Sequence, residues 1–152
     1  MKKKYMVTAC LSILMLISTL LFTACIPSFR YDYEELKNEV VKIEIIDLGE
    51  NIYGGGNDFE SKISQLLITI EDEEVINDVV LDISKLVYKQ LLFGDPMWHR
   101  GICIKLYYKG GGYEILSLYM IARFDPAGKP VYSQFRSCSE KAFNALIEKY
   151  LD

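Results

Sequence analysis

Apolar positions along this chain follow three different rhythms. Tyr5 to Phe22 is a nearly continuous apolar run, interrupted only by small polar residues such as Ser12, Ser18 and Thr19. Residues 39–48, Glu-Val-Val-Lys-Ile-Glu-Ile-Ile-Asp-Leu, alternate and are rich in β-branched side chains, which predicts a strand. Residues 63–71, 101–109, 113–124 and 130–136 read as four more strands. Elsewhere the period is helical. Val75, Ile76, Val79, Val80, Ile83, Leu86 and Val87 share one stripe, with Asp72 placed to cap and Glu73 and Glu74 in the first turn. Phe143, Leu146, Ile147, Tyr150 and Leu151 form the stripe of a terminal helix, preceded by a Ser-x-x-Glu capping box at Ser137 to Glu140.

Glycine and proline mark the joints. Gly54–Gly56 predicts a loop, and Gly94-Asp95-Pro96 closes the first helical region. Gly110–Gly112 predicts a hairpin, and Asp125 to Lys129 the turn after it. The expected fold is α+β, an antiparallel sheet of about five strands in the order ββ-α-βββ-α. Two amphipathic helices, at 73–88 and 139–151, would cover one face of it. Residues 1–24 would form a leader, 25–38 a tether running into a polar stretch with helical character, and 39–152 a single domain.

Pairing Lys109 with Tyr113 and Phe124 with Val131 gives the sheet two distinct faces. The helix-covered face would carry Ile104, Leu106, Leu116, Leu118, Met120, Ala122 and Phe124, with Glu114 among them. The open face would carry Lys105, Tyr107, Lys109, Tyr113, Ser117, Tyr119, Arg123, Tyr132, Gln134 and Arg136. Tyrosine and arginine are enriched at binding hot spots, so Tyr107, Tyr119, Arg123 and Tyr132 are the expected centre of a binding surface. The bland alternative is an ordinary wet face of an antiparallel sheet.

The N-terminus carries a more specific pattern. Lys2, Lys3 and Lys4 precede the apolar run, which ends in Phe22-Thr23-Ala24-Cys25. An apolar residue, two small residues and a cysteine resemble the lipobox of bacterial lipoproteins. That resemblance implies a diacylglyceryl group on the Cys25 thiol, cleavage before it, and Cys25 as the first mature residue. It covers residues 1–25 and is similar to what small lipoproteins of Gram-positive bacteria carry; residues 26–152 resemble no family. The alternative is an uncleaved membrane helix, since residues 5–26 are long enough to span a bilayer. Both place the rest of the chain outside the cytoplasm, because the only flanking lysines precede the apolar segment.

Removal of residues 1–24 leaves 14 Lys+Arg against 21 Asp+Glu, a formal charge of −7. So acidic a domain is a poor partner for nucleic acid, and charge alone would not hold it on an anionic membrane. Candidate chemistry is sparse. His99 is the only histidine and has no evident nucleophile beside it. Cys138 sits at an expected helix N-terminus, where a thiolate is stabilised. Cys103 and Cys138 would lie about 10 Å apart across two strand spacings, too far for a disulfide. Glu71 to Glu74 point different ways at a strand–helix junction, and Glu50, Asn57, Asp58 and Glu60 lack EF-hand spacing, so no metal site is expected. Gly54–Gly56 lacks the Lys-Ser/Thr of a phosphate loop, and no cofactor motif is present. The expected function is a non-enzymatic, lipid-anchored binding or interaction domain. Its partner would be an envelope protein or an anionic wall polymer. The alternative is a small envelope enzyme using His99 or Cys138.

Overall fold

The computed structural model describes Met15 and residues 27–49, 65–91 and 101–151. Within them the chain forms eight strands and three helices. They are β1 (Ser28–Phe29), α1 (Tyr33–Glu39), β2 (Val40–Asp47), β3 (Gln65–Ile70), α2 (Glu73–Lys85), β4 (Tyr88–Gln90), β5 (Ile102–Tyr108), β6 (Tyr113–Leu116), β7 (Met120–Phe124), β8 (Pro130–Ser137) and α3 (Glu140–Leu151). Every pairing is antiparallel, in the spatial order β1-β4-β8-β7-β6-β5-β2-β3.

The expectation of about five strands and two helices is therefore corrected to eight and three. Three physical causes account for it. First, β1 and β4 span two and three residues, too few for any periodicity to register. Second, α1 carries only one buried side chain, Leu36, so it lacks an apolar stripe; its signal is the cap, where Asp32 accepts from Glu35 N at 2.9 Å. Third, residues 113–124 are two strands, not one. Ser117 reverses the chain between them. Its Oγ accepts from Met120 N at 3.0 Å and Tyr119 N at 3.3 Å, while its own N–H donates to Met120 O at 2.9 Å. A serine hydroxyl thus does the work that an Asn-Gly turn usually does. No residue of this turn has positive φ.

That reversal redistributes the faces. β5 and β6 pair with Tyr107 opposite Tyr113 and Ile104 opposite Leu116, two residues from the expected register. A shift of two preserves parity, so Ile104, Leu106 and Leu116 still face the helices. Across the Ser117 turn parity flips. Leu116 pairs with Ile121 and Ile115 with Ala122, so Met120, Ala122 and Phe124 lie on the opposite face. The β7–β8 ladder itself has Arg123 opposite Tyr132 and Met120 opposite Phe135, as the pattern predicted, ending in a bulge that sets Phe124 against Pro130.

The main core joins Ile43, Ile45, Ile104, Leu106, Leu116 and Ile121 of the sheet to Leu36 of α1, Ile76, Val79, Val80 and Ile83 of α2, and Phe143, Leu146 and Ile147 of α3. Each such side chain stabilises the fold by about 1.5–3 kcal/mol through burial. Asp72 caps α2 with bonds of 3.0 Å to Glu74 N and Val75 N. Ser139 rather than Ser137 caps α3, its Oγ accepting from Ala142 N at 3.4 Å. Asp82 ties α2 to α3 by accepting from Lys149 and Tyr150. Burial alone would raise its carboxyl, but bonds from Lys149, Lys85 and Tyr150 hold it at about 2.

The face expected to be open is not simply wet. Ile46, Leu48, Cys103, Ile115, Met120, Ala122 and Phe124 form a second buried cluster there. Lys105 is buried between aromatic rings, 4.0 Å from the Tyr113 centroid and 4.8 Å from that of Tyr107. Cys103 and Cys138 are both free thiols. Cys103 belongs to this second cluster, whereas Cys138 packs against the main core.

Candidate functional site

Strand alternation places Glu114 on the helix side of β6, opposite Leu106 on β5 and Arg123 on β7. It is 1% exposed. A carboxylate taken out of water needs donors, and three tyrosines supply them. Tyr31 and Tyr132 donate to Oε1 at 2.9 and 2.5 Å, and Tyr108 donates to Oε2 at 2.5 Å. The three come from distant parts of the chain: the β1–α1 link, the end of β5, and β8. Burial first, and then the negative Glu114, push all three phenols above their usual range, so they stay neutral donors.

Arg123 completes the group. Its guanidinium lies 4.3 Å from the Tyr108 ring centroid. It adjoins Tyr132, whose phenol it pulls partly back down. Among the described residues no carboxylate forms an ion pair with it. Arg123 is half-buried, as is Tyr132. The result is an arginine seated on an aromatic platform beside Tyr132, with a planar head that carries five N–H donors.

The four residues expected to share a surface are divided. Arg123 and Tyr132 meet at the Glu114 cluster. Tyr107 lies on the other face, where its hydroxyl donates to Glu44 Oε2 at 2.7 Å and Lys42 sits 3.9 Å above its ring. There burial would raise the Glu44 carboxyl, but bonds from Lys42 and Tyr107 and the charges of Lys42 and Lys105 hold it low. Tyr119 lies in the Ser117 turn, 49% exposed. Glu114, Tyr31 and Tyr108 were missed as site residues. The pattern places Glu114 on the helix-covered face, where one acid among aliphatic side chains is the available signal.

Cys138 is half-buried beside Tyr88. Burial raises its thiol more than the Tyr88 contact lowers it, the wrong direction for a nucleophile. Tyr88 is fully buried, and its hydroxyl makes no well-formed hydrogen bond. Burial pushes the Cys103 thiol up to about 12. Cys25, His99, Trp98 and the glycine loop at 54–58 lie outside the described residues. Among those described, no group of His, Cys, Asp and Glu could hold a metal ion, and no helix is long and apolar enough to cross a membrane. A cleft of about 400 Å³ between α3 and the start of β5 has Ile102, Leu118, Phe143 and Ile147 as its floor and shares no lining residue with the Glu114 cluster.

No family model, no curated protein and no solved structure matches this chain.

Proposed function

We propose that this chain is a lipid-anchored, extracytoplasmic binding domain that holds an anionic group of its partner at Arg123. The anchor rests on the lipobox ending at Cys25. The observation that carries the binding role is the guanidinium seated on Tyr108 with no described carboxylate paired to it. Glu114 oxygens are already taken by three phenols, so they orient the platform without consuming the arginine donors. A carboxylate or phosphate, on an envelope protein or a wall polymer, is the matching chemistry.

Two expected results test this. Cys25→Ser blocks both lipidation and leader cleavage, because the thiol is the acyl acceptor. Intact-mass measurement of membrane-extracted protein reads it, and unchanged processing in the mutant refutes the lipoprotein. Arg123→Gln keeps the side chain over Tyr108 but removes the charge. It should shift the melting temperature by no more than a few degrees and lower recovery of the partner from envelope membranes at least tenfold. Equal recovery by wild type and mutant overturns the Arg123 site.

A further inference from the structure

The strand that follows the anchor is rimmed with positive charge, against the trend of the domain. β1 pairs with β4 through Ser28–Lys89 and Phe29–Tyr88, and β4 pairs with β8 through Lys89–Ser137 and Gln90–Arg136. Pro27 O also accepts from Gln90 N at 3.2 Å, so the ladder begins just before β1. Lys89 projects on one face of this edge. Phe29 and Arg136 project on the other, the Arg136 guanidinium 5.3 Å from the Phe29 ring centroid. Arg30 directly follows the edge strand and is exposed, as is Lys89. None of the residues of β1, β4 or β8 is acidic. The nearest acid in the chain after β1 is Asp32, which is engaged in capping α1.

Covalent geometry fixes what lies next to this edge. Cys25 precedes Ser28 by three residues, so its lipid attaches within about 11 Å of the strand whatever path the link takes. β1 is the outermost strand of the sheet. An acyl chain in a bilayer therefore brings the β1 edge down onto the headgroups, with cations above, below and along it.

We propose that the β1–β4–β8 edge is a docking surface for anionic phospholipid headgroups, formed by Arg30, Lys89 and Arg136 with Phe29 as the apolar contact. It rests on the anchored form of the chain proposed above. The anchor supplies the membrane affinity, and the edge supplies the orientation. The lipid-bound sheet then stands on β1, with β3 at the far end and the Arg123 rim facing solvent.

Amide hydrogen exchange on the anchored protein in vesicles tests the surface. Amides at 28–30 and 88–91 should exchange about tenfold more slowly in vesicles containing phosphatidylglycerol than in phosphatidylcholine alone. Half-molar salt should abolish the difference, as should Lys89→Glu with Arg136→Glu. Exchange that ignores lipid charge, or a difference that survives the charge reversal, overturns the proposal. Intact mass of the same sample judges the anchor separately. A chain lacking diacylglycerol would refute the lipid on Cys25, while the exchange comparison would still judge the edge, because an uncleaved apolar segment enters the fold at the same point.

Discussion

Glu114→Ala should destabilise the domain by about 3–5 kcal/mol, the largest loss expected from any single polar residue here. The carboxylate is 1% exposed and accepts three phenolic hydrogen bonds. Each buried donor left without a partner costs about 1–3 kcal/mol. Tyr31 and Tyr132 are half-buried and recover part of that from water, whereas Tyr108 is buried and recovers little. The truncation also leaves Arg123 without the neighbouring negative charge. Urea unfolding followed by tyrosine and tryptophan fluorescence measures the loss. Glu114→Gln, which keeps an acceptor at the same place, should lose less than half as much. A loss below about 1 kcal/mol for the alanine variant would show that the cluster is solvated and does not organise the site.

Gly112→Ala should cost about 3 kcal/mol for a different reason. Gly112 has φ of +77°, and a Cβ there would lie 2.4 Å from the carbonyl oxygen of Phe124. That oxygen belongs to the neighbouring backbone and cannot swing aside. The hairpin would have to part from the end of β7, where Phe124 stacks on Tyr113 with ring centroids 4.8 Å apart. Gly110 is the control. It lies in the same turn, has ordinary φ, and a Cβ there would meet nothing within 4 Å. Gly110→Ala should stay within about 0.5 kcal/mol of wild type by thermal melting. Equal losses at the two positions would contradict the close approach at Gly112.

The legible parts of the fold were those where many residues repeat one pattern. β2, β5 and β8 and the helices α2 and α3 each have enough periodic positions to declare themselves. The Ser117 turn was not legible, because its reversal depends on one hydroxyl and lacks glycine, proline and asparagine. That single omission moved Met120, Ala122 and Phe124 to the wrong face and put Arg123 and Tyr132 beside Tyr107 when they belong beside Glu114. Pairwise neighbours survived where face assignment failed, as the Arg123–Tyr132 pair illustrates. The candidate site was half visible for the same reason. Its arginine and one tyrosine were singled out by residue type. Its carboxylate was passed over as one polar position in an apolar row, and Tyr31 reaches it from 83 residues away in sequence.

On the proposed lipid anchor at Cys25, the Tyr31–Glu114 bond would have a mechanical meaning. Tension from a membrane would enter at the N-terminus and meet β1 first, which pairs with β4 through Ser28–Lys89 and Phe29–Tyr88. Peeling Ser28 to Arg30 yields about 10 Å of slack without disturbing the core. The next residue is Tyr31, whose hydroxyl is fastened to Glu114 in the middle of the sheet, and after it comes α1 with Leu36 in the core. Anchored in that way, the domain would be slung on a short compliant leader with a firm stop. A tug on the envelope would be absorbed at β1 and arrested at Glu114, leaving the helices and their core unstrained.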